Sequence, residues 1–168
     1  MIGFLRIIGI LNAALWFGGS IFLTFFVGPA FFSEPMVELL TKPYAGAAAQ
    51  IVLERYFTLQ IVCGLVAFAH LVAESLYLSR PIFRWSLSLV AAIFVLALVG
   101  GYGIQPKLKQ LHLQMYSPET TDEIKAASRK SFGLWHGISW IANLAALGGI
   151  TVYLFRITRQ GDNSRYRW

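Results

Sequence analysis

Asn12, Gln60, His70, Glu74, Gln105, His136 and Asn143 lie inside or at the edge of stretches that otherwise carry no charge. Polar and ionisable groups surrounded by apolar sequence are costly to hold there, so each is a candidate for function. They sort into two clusters by their distance along the chain from the flanking basic residues. Asn12, His70 and Glu74 form an inner set. His70 and Glu74 stand one helical turn apart and share a face, a spacing that suits a shared proton or a metal ion. The plainer alternative has Glu74 reaching for the interface and His70 bonded to Asn12 or to a backbone carbonyl. His136, Ser139 and Asn143 share a second face, with Gln60 and Gln105 expected at a similar depth. This outer set suits either a metal or haem ligand at His136 or a hydrogen bond between helices, and the structural role is the favoured reading.

These residues need elements to hold them. No Asp, Glu, Lys or Arg interrupts Ile7 to Ser33, Tyr56 to Ala73, Trp85 to Pro106 or Ser131 to Phe155. A helix needs roughly 20 apolar residues to cross a hydrocarbon layer of ~30 Å. Period-two alternation is absent, and a bilayer requires backbone hydrogen bonds to close within each segment, so the stretches are read as helices. Composition agrees: 57% of the 168 residues are hydrophobic and only 13% are charged, about half the charge of a soluble domain. The expected fold is all-α, an integral membrane four-helix bundle in a single domain over residues 1–168. Its spans are placed at 4–28, 56–79, 83–105 and 132–156, with short interfacial helices in the two outer loops. The first run is too long for a signal-peptide core and is read as a retained span, ended or kinked at Pro29.

The loops carry helix signals as well. Residues 44–54 are Ala-rich and predict a short helix leading into the second span. Lys107 to Met115 places Leu108, Leu111 and Met115 on one face, as an interfacial turn would. Ser117-Pro118-Glu119 reads as a helix start, with Ser at the N-cap. From there the fourth span is expected to run as one long helix. For packing between helices, Gly18, Gly19, Gly133 and Gly137 are the expected close-approach positions, most simply against the chain's own helices.

The net charge is +6, from 14 Lys and Arg against 8 Asp and Glu. On so apolar a chain this excess suits anionic lipid and not nucleic acid. With four spans the basic residues divide evenly between the two sides. Arg80 and Arg84, however, sit in a tiny turn while the opposite loops are long, which puts both termini in the cytoplasm. The Arg-rich tail, 157–168, is expected to lie against anionic headgroups. Cys63 is the single cysteine, so a disulfide framework is excluded.

Several motifs together resemble a known family. They are Trp16-Phe17-Gly18-Gly19, Arg55-Tyr56-Phe57, Gln105-Pro106-Lys107 and, most specifically, Phe132-x-x-x-His136-Gly137-x-Ser139-x-x-x-Asn143-Leu144. In this order they resemble the transmembrane protein 205-like family of small four-span membrane proteins. The resemblance implies the bundle and no established reaction. The first span is also similar to a wider set that includes a bacterial haem-binding protoporphyrinogen oxidase. Where that oxidase has a histidine, seven residues before the Trp of the Trp-Phe-x-Gly run, this chain has Gly9. His70 and His136 are expected at depths roughly 10–15 Å apart, from a rise of ~1.5 Å per residue, which keeps them from one porphyrin. No cofactor is therefore expected, no catalytic residue is named, and no metal site is assigned. The expected function is a non-enzymatic accessory or interaction subunit of a larger membrane assembly. The alternatives are a haem- or metal-binding redox protein and a small metal-handling transporter.

Overall fold

A computed structural model of the protein describes residues 2–78 and 84–159. Every regular element among them is a helix. α1 (Ile2–Ile21) runs on through a π-helical segment, π1 (Phe22–Val27), into the short α2 (Gly28–Ala30). After a turn comes α3 (Glu34–Leu78). α4 (Arg84–Leu98) then continues through π2 (Val99–Ile104) into α5 (Gln105–Tyr116), and α6 (Asp122–Arg159) ends the described chain. Four of these continuous helices are long and apolar enough to cross a membrane: Gly3–Ala30, Glu34–Tyr77, Arg84–Tyr116 and Asp122–Arg159. The protein is an all-α, multi-pass integral membrane protein.

The π segments have a cause in the sequence. Pro29 has no N–H for the Phe25 carbonyl, and its ring crowds that carbonyl; Pro106 does the same to Tyr102. The helix answers each time with a wider turn. The Gly28 N–H bonds the Leu23 carbonyl, five residues back, and the Gln105 N–H bonds the Gly100 carbonyl. The chain therefore passes both prolines without leaving the helix, and the first span ends just past Pro29, at Ala30.

α3 changes direction at Thr41, whose φ of 58° and ψ of 159° lie outside the helical region. Such a backbone costs a non-glycine residue about 1–3 kcal/mol. Pro43 stands just beyond, in the first turn of the new helical run, where its missing N–H does no harm. The helix expected over 44–54 is therefore not a separate element: from the kink to Leu78 it is continuous with the second span. The start of α6 also differs from expectation. Ser117 ends α5, and its hydroxyl accepts from the nearby Glu119 N–H at 3.3 Å in place of capping a helix. α6 begins at Asp122, where Asp122 and Glu123 meet the positive end of its dipole. From there it is one helix of 38 residues, about 57 Å long at ~1.5 Å per residue, so it extends well beyond a hydrocarbon core.

Antiparallel neighbours close the bundle into a ring: α1 lies against α3 and α6, and α4 lies against the same two. Buried positions recur every three or four residues, at Gly9, Ala13, Trp16, Ser20 and Thr24 on the first span and at Tyr56, Gln60, Cys63, Ala67 and His70 on the second. The polarity is inverted relative to a soluble bundle. Ser20, Thr24, Gln60, His70 and Ser86 are buried, while Leu11, Leu15, Phe22, Phe26, Leu65 and Val95 are exposed. A surface of that kind is stable against lipid and not against water.

Close approach falls mainly at glycines other than those expected. Gly19 is near Leu59, but Gly18, Gly133 and Gly137 meet nothing within 4 Å. The tight positions include Gly9 against His70 and Ile157, Gly64 against Phe94, and Gly149 against Ile93. Arg6, Arg84, Arg156 and Arg159 lie at one end of the bundle, and the other seven described basic residues, from Lys42 to Lys130, lie at the opposite end. Arg6 donates to the Thr158 carbonyl at 3.3 Å, and Arg156 donates to Ser86 Oγ at 3.3 Å and stacks 5.1 Å from the Trp85 ring centre. Arg80 and the tail beyond Arg159 lie outside the described residues.

Candidate binding cavity at the loop end of the bundle

A cavity of about 470 Å³ opens at the opposite end, between the close of the first span, α3, α5 and α6. That volume falls within the ~300–1,000 Å³ typical of small-molecule sites. Its position follows from the irregular elements. π1 and Pro29 shape the wall from the first span, the Thr41 kink brings Lys42 to the lining, and α5, continuing the third span past Pro106, adds Leu108, His112, Met115 and Tyr116. Most of the lining is apolar or aromatic, including Leu23, Val27, Leu53, Phe57 and Trp140.

Thr24, Tyr56 and Asn143 form a polar floor, bonded to a network that continues away from the cavity. Trp16 Nε1 donates to Gln60 Oε1, and Gln60 Nε2 donates to Ser20 Oγ at 2.8 Å. Ser20 Oγ donates to the Trp16 carbonyl at 2.7 Å, and Thr24 Oγ1 donates to the Ser20 carbonyl at 2.6 Å. Asn143 Nδ2 then donates to Thr24 Oγ1 at 2.7 Å, and the Tyr56 hydroxyl donates to Asn143 Oδ1 at 2.7 Å. One network thus joins the first, second and fourth spans. Each member satisfies another, which is how polar groups persist in such surroundings.

The expected outer cluster is therefore only partly assembled. Asn143 is in the network directly, and Gln60 reaches it through Ser20 and Thr24. Gln105 belongs elsewhere: its amide lies 3.4 Å from Glu54, which also pairs with Lys109 at 2.7 Å. These charged groups stand beyond the uncharged stretches, and the Lys109 ammonium holds the Glu54 carboxyl below its usual range. His136 and Ser139 line the cavity beside Asn143. The expected hydrogen bond from His136 to another helix is not formed; its ring is exposed and stacks on Phe132, 5.8 Å away. The π face of Phe132 gives the imidazole a neighbour that needs no hydrogen bond.

The inner cluster does not come together as drawn from the sequence. Asn12 Nδ2 donates to the Cys63 carbonyl at 3.0 Å and not to His70. His70 is buried against Gly9, with Nδ1 unpartnered. His70 and His136 lie at opposite ends of the bundle, as their spacing requires. No group of three or more His, Cys, Asp or Glu able to hold a metal occurs among the described residues.

Of two further cavity residues, Gln50 is not singled out by the sequence, and His112 is expected only in the outer loop, within reach of His136 as a surface metal site. Gln50 Oε1 and His112 Nε2 are buried, line the cavity and have no hydrogen-bond partner. His112 lies on α5, beyond the uncharged stretch, and burial pushes its imidazole below the usual range. Its Nε2 is set directly against Gly46, where a Cβ would collide with it. The signal for both was available only in part: Gln50 sits among alanines and His112 among leucines, and nothing in that spacing says the two helices meet.

A family model described as a domain of unknown function (DUF4149) matches residues 11–117, nearly two thirds of the chain. The matched region runs from α1 to the end of α5, so the His136 motif lies outside it. No curated protein and no solved structure matches the chain.

Proposed function

The chain belongs to this DUF4149 family, and we propose that it works in the membrane by binding and not by turnover, as a non-enzymatic accessory or interaction subunit of a larger assembly. The observation that carries this reading is the cavity: it has the volume of a ligand site, while its floor side chains are engaged with one another and not poised for reaction. α6 offers a place for a partner. It is the least covered of the four spans, and on it Gly133 and Gly137 face open space beside the exposed Leu134 and Ile141. Small residues of this kind let a second helix approach closely. The likeness to the transmembrane protein 205-like family is part of the same proposal. Haem or metal chemistry finds less support, since His70 and His136 stand at opposite ends and the Phe132 ring contacts both His112, at a tilt, and His136, stacked.

Native mass spectrometry after purification from native membranes in mild detergent tests the reading. The expected result is a chain that carries a small-molecule adduct, a protein partner or both. A bare chain at every detergent strength overturns it.

We propose also that both termini are cytoplasmic: the basic residues divide evenly between the two ends, but Arg80 and Arg84 fall in a short connecting segment while those at the cavity end are spread through long ones. In a Cys63→Ser background, Thr121→Cys should react with an impermeant maleimide on intact cells, and Gly3→Cys only after permeabilisation. Both positions are exposed. The reverse pattern would invert the topology.

A further inference from the structure

We propose that the cavity takes the head and upper chain of a single-chain amphiphile with a carboxylic acid head, an inference that rests on the binding function above. The apolar lining calls for a hydrocarbon chain, and the polar groups narrow the head. Lys42 is the only side chain with a permanent charge in the lining, and no Asp or Glu joins it there. Lys42 also forms no ion pair among the described residues. One cation without a counter-charge matches one negative charge. A phosphate monoester, with its greater charge and three strong acceptor oxygens, would call for more cations or an arginine fork, and the lining holds neither.

On two lining residues, Gln50 Oε1 is an acceptor lacking a donor and His112 Nε2 a ring nitrogen lacking a partner, each closed off from the cavity until its side chain turns. Both residues are more than nine-tenths buried. Orphaned buried polar atoms are rare enough to require an explanation. A carboxyl group supplies one. Protonated, its O–H donates to Gln50 while its carbonyl oxygen accepts from the His112 N–H. Ionised, it faces Lys42. Burial favours the first form and proximity to the ammonium the second, so the head is held in either state. His112 Nε2 rests against Gly46, so the ring must turn from that contact for its N–H to meet the head.

The test uses the full chain in dodecyl maltoside micelles, with radiolabelled hexadecanoic acid as probe and hexadecanol, hexadecyl phosphate and dipalmitoyl phosphatidylcholine as competitors. Saturable one-to-one binding is expected, with hexadecanol about tenfold weaker because it forfeits a charge-assisted contact. Lys42→Gln, at an exposed position, should remove most of that preference. Gln50→Leu should weaken the alcohol, and the acid only at a pH where its head is protonated, while leaving the thermal midpoint unchanged or raised, since it deletes an orphaned acceptor. If hexadecanol or hexadecyl phosphate competes as well as the acid, or if the two-chain lipid displaces it fully, the carboxylic head is wrong and the binding function stands. If none of the probes binds saturably, while the native chain still carries another adduct, the inference alone fails. If the native chain is bare as well, both fail.

Discussion

Trp16→Ala should be the most damaging single substitution among the described residues. The Trp16 ring is fully buried, packs edge-on to Tyr153 with ring centres 6.4 Å apart, and donates its indole N–H to Gln60. Truncating a buried tryptophan costs about 3–5 kcal/mol. That figure reflects both transfer from water and the cavity left behind; in a bilayer the second part persists, because lost contacts are not restored by lipid. Gln60, only 3% exposed, would in addition lose the donor to its carbonyl oxygen, a further penalty of about 1–3 kcal/mol. Trp16→Phe separates the contributions, since it keeps most of the packing and loses only the donor. Thermal unfolding in detergent, followed by size-exclusion of the fluorescent-tagged protein, should rank wild type above Trp16→Phe and Trp16→Phe above Trp16→Ala. A Trp16→Ala protein within ~1 kcal/mol of wild type, the range of ordinary substitutions, would show that the network is not central.

The second large effect is expected at Gly9. A Cβ placed there would stand 2.5 Å from His70 Nε2 and 2.7 Å from Ile157 Cδ1. Both neighbours are buried, at 6% and 5% exposure, so neither ring nor methyl has free space to enter. Overpacking of this kind costs about 1–3 kcal/mol. Gly9→Ala should therefore destabilise the bundle even though alanine is the better helix former. In a His70→Ala background the same change should cost less than half as much, because the largest obstacle is gone. Strict additivity of the two substitutions would refute the contact.

Sequence and structure agree most closely where apolar length sets the outcome. The four spans, the single long α6 and the helical character of the outer loops all follow from uncharged runs and the segments that flank them. The agreement weakens where a feature depends on which helices meet. Gln60 and Asn143 both belong to the floor network, yet nothing in their spacing identifies Ser20 and Thr24 as the links between them. Gln105 lies at the expected end but bonds to Glu54, because π2 carries it to the rim. The π segments follow from Pro29 and Pro106 only once it is known that the helices continue past both prolines. Gly133 and Gly137 have the small-residue spacing of a packing motif, but they lie on a face that the chain's own helices leave uncovered. His136 was expected to need a hydrogen bond because it was placed in hydrocarbon; facing a cavity and stacked on Phe132, it does not.

The uninterrupted course of α6 has a mechanical consequence. The first and third spans contain a π turn, and α3 contains a kink, so each has a joint at which displacement can be absorbed. α6 has no such joint between Asp122 and Arg159. Its Phe132–Asn143 stretch borders the cavity, and at its far end Arg156 lies over Trp85 and bonds Ser86. A guest that pushes the first part aside must tilt or rotate the whole rod. Displacement at the Phe132–Asn143 part is thus passed along the strut to the end that holds Arg156.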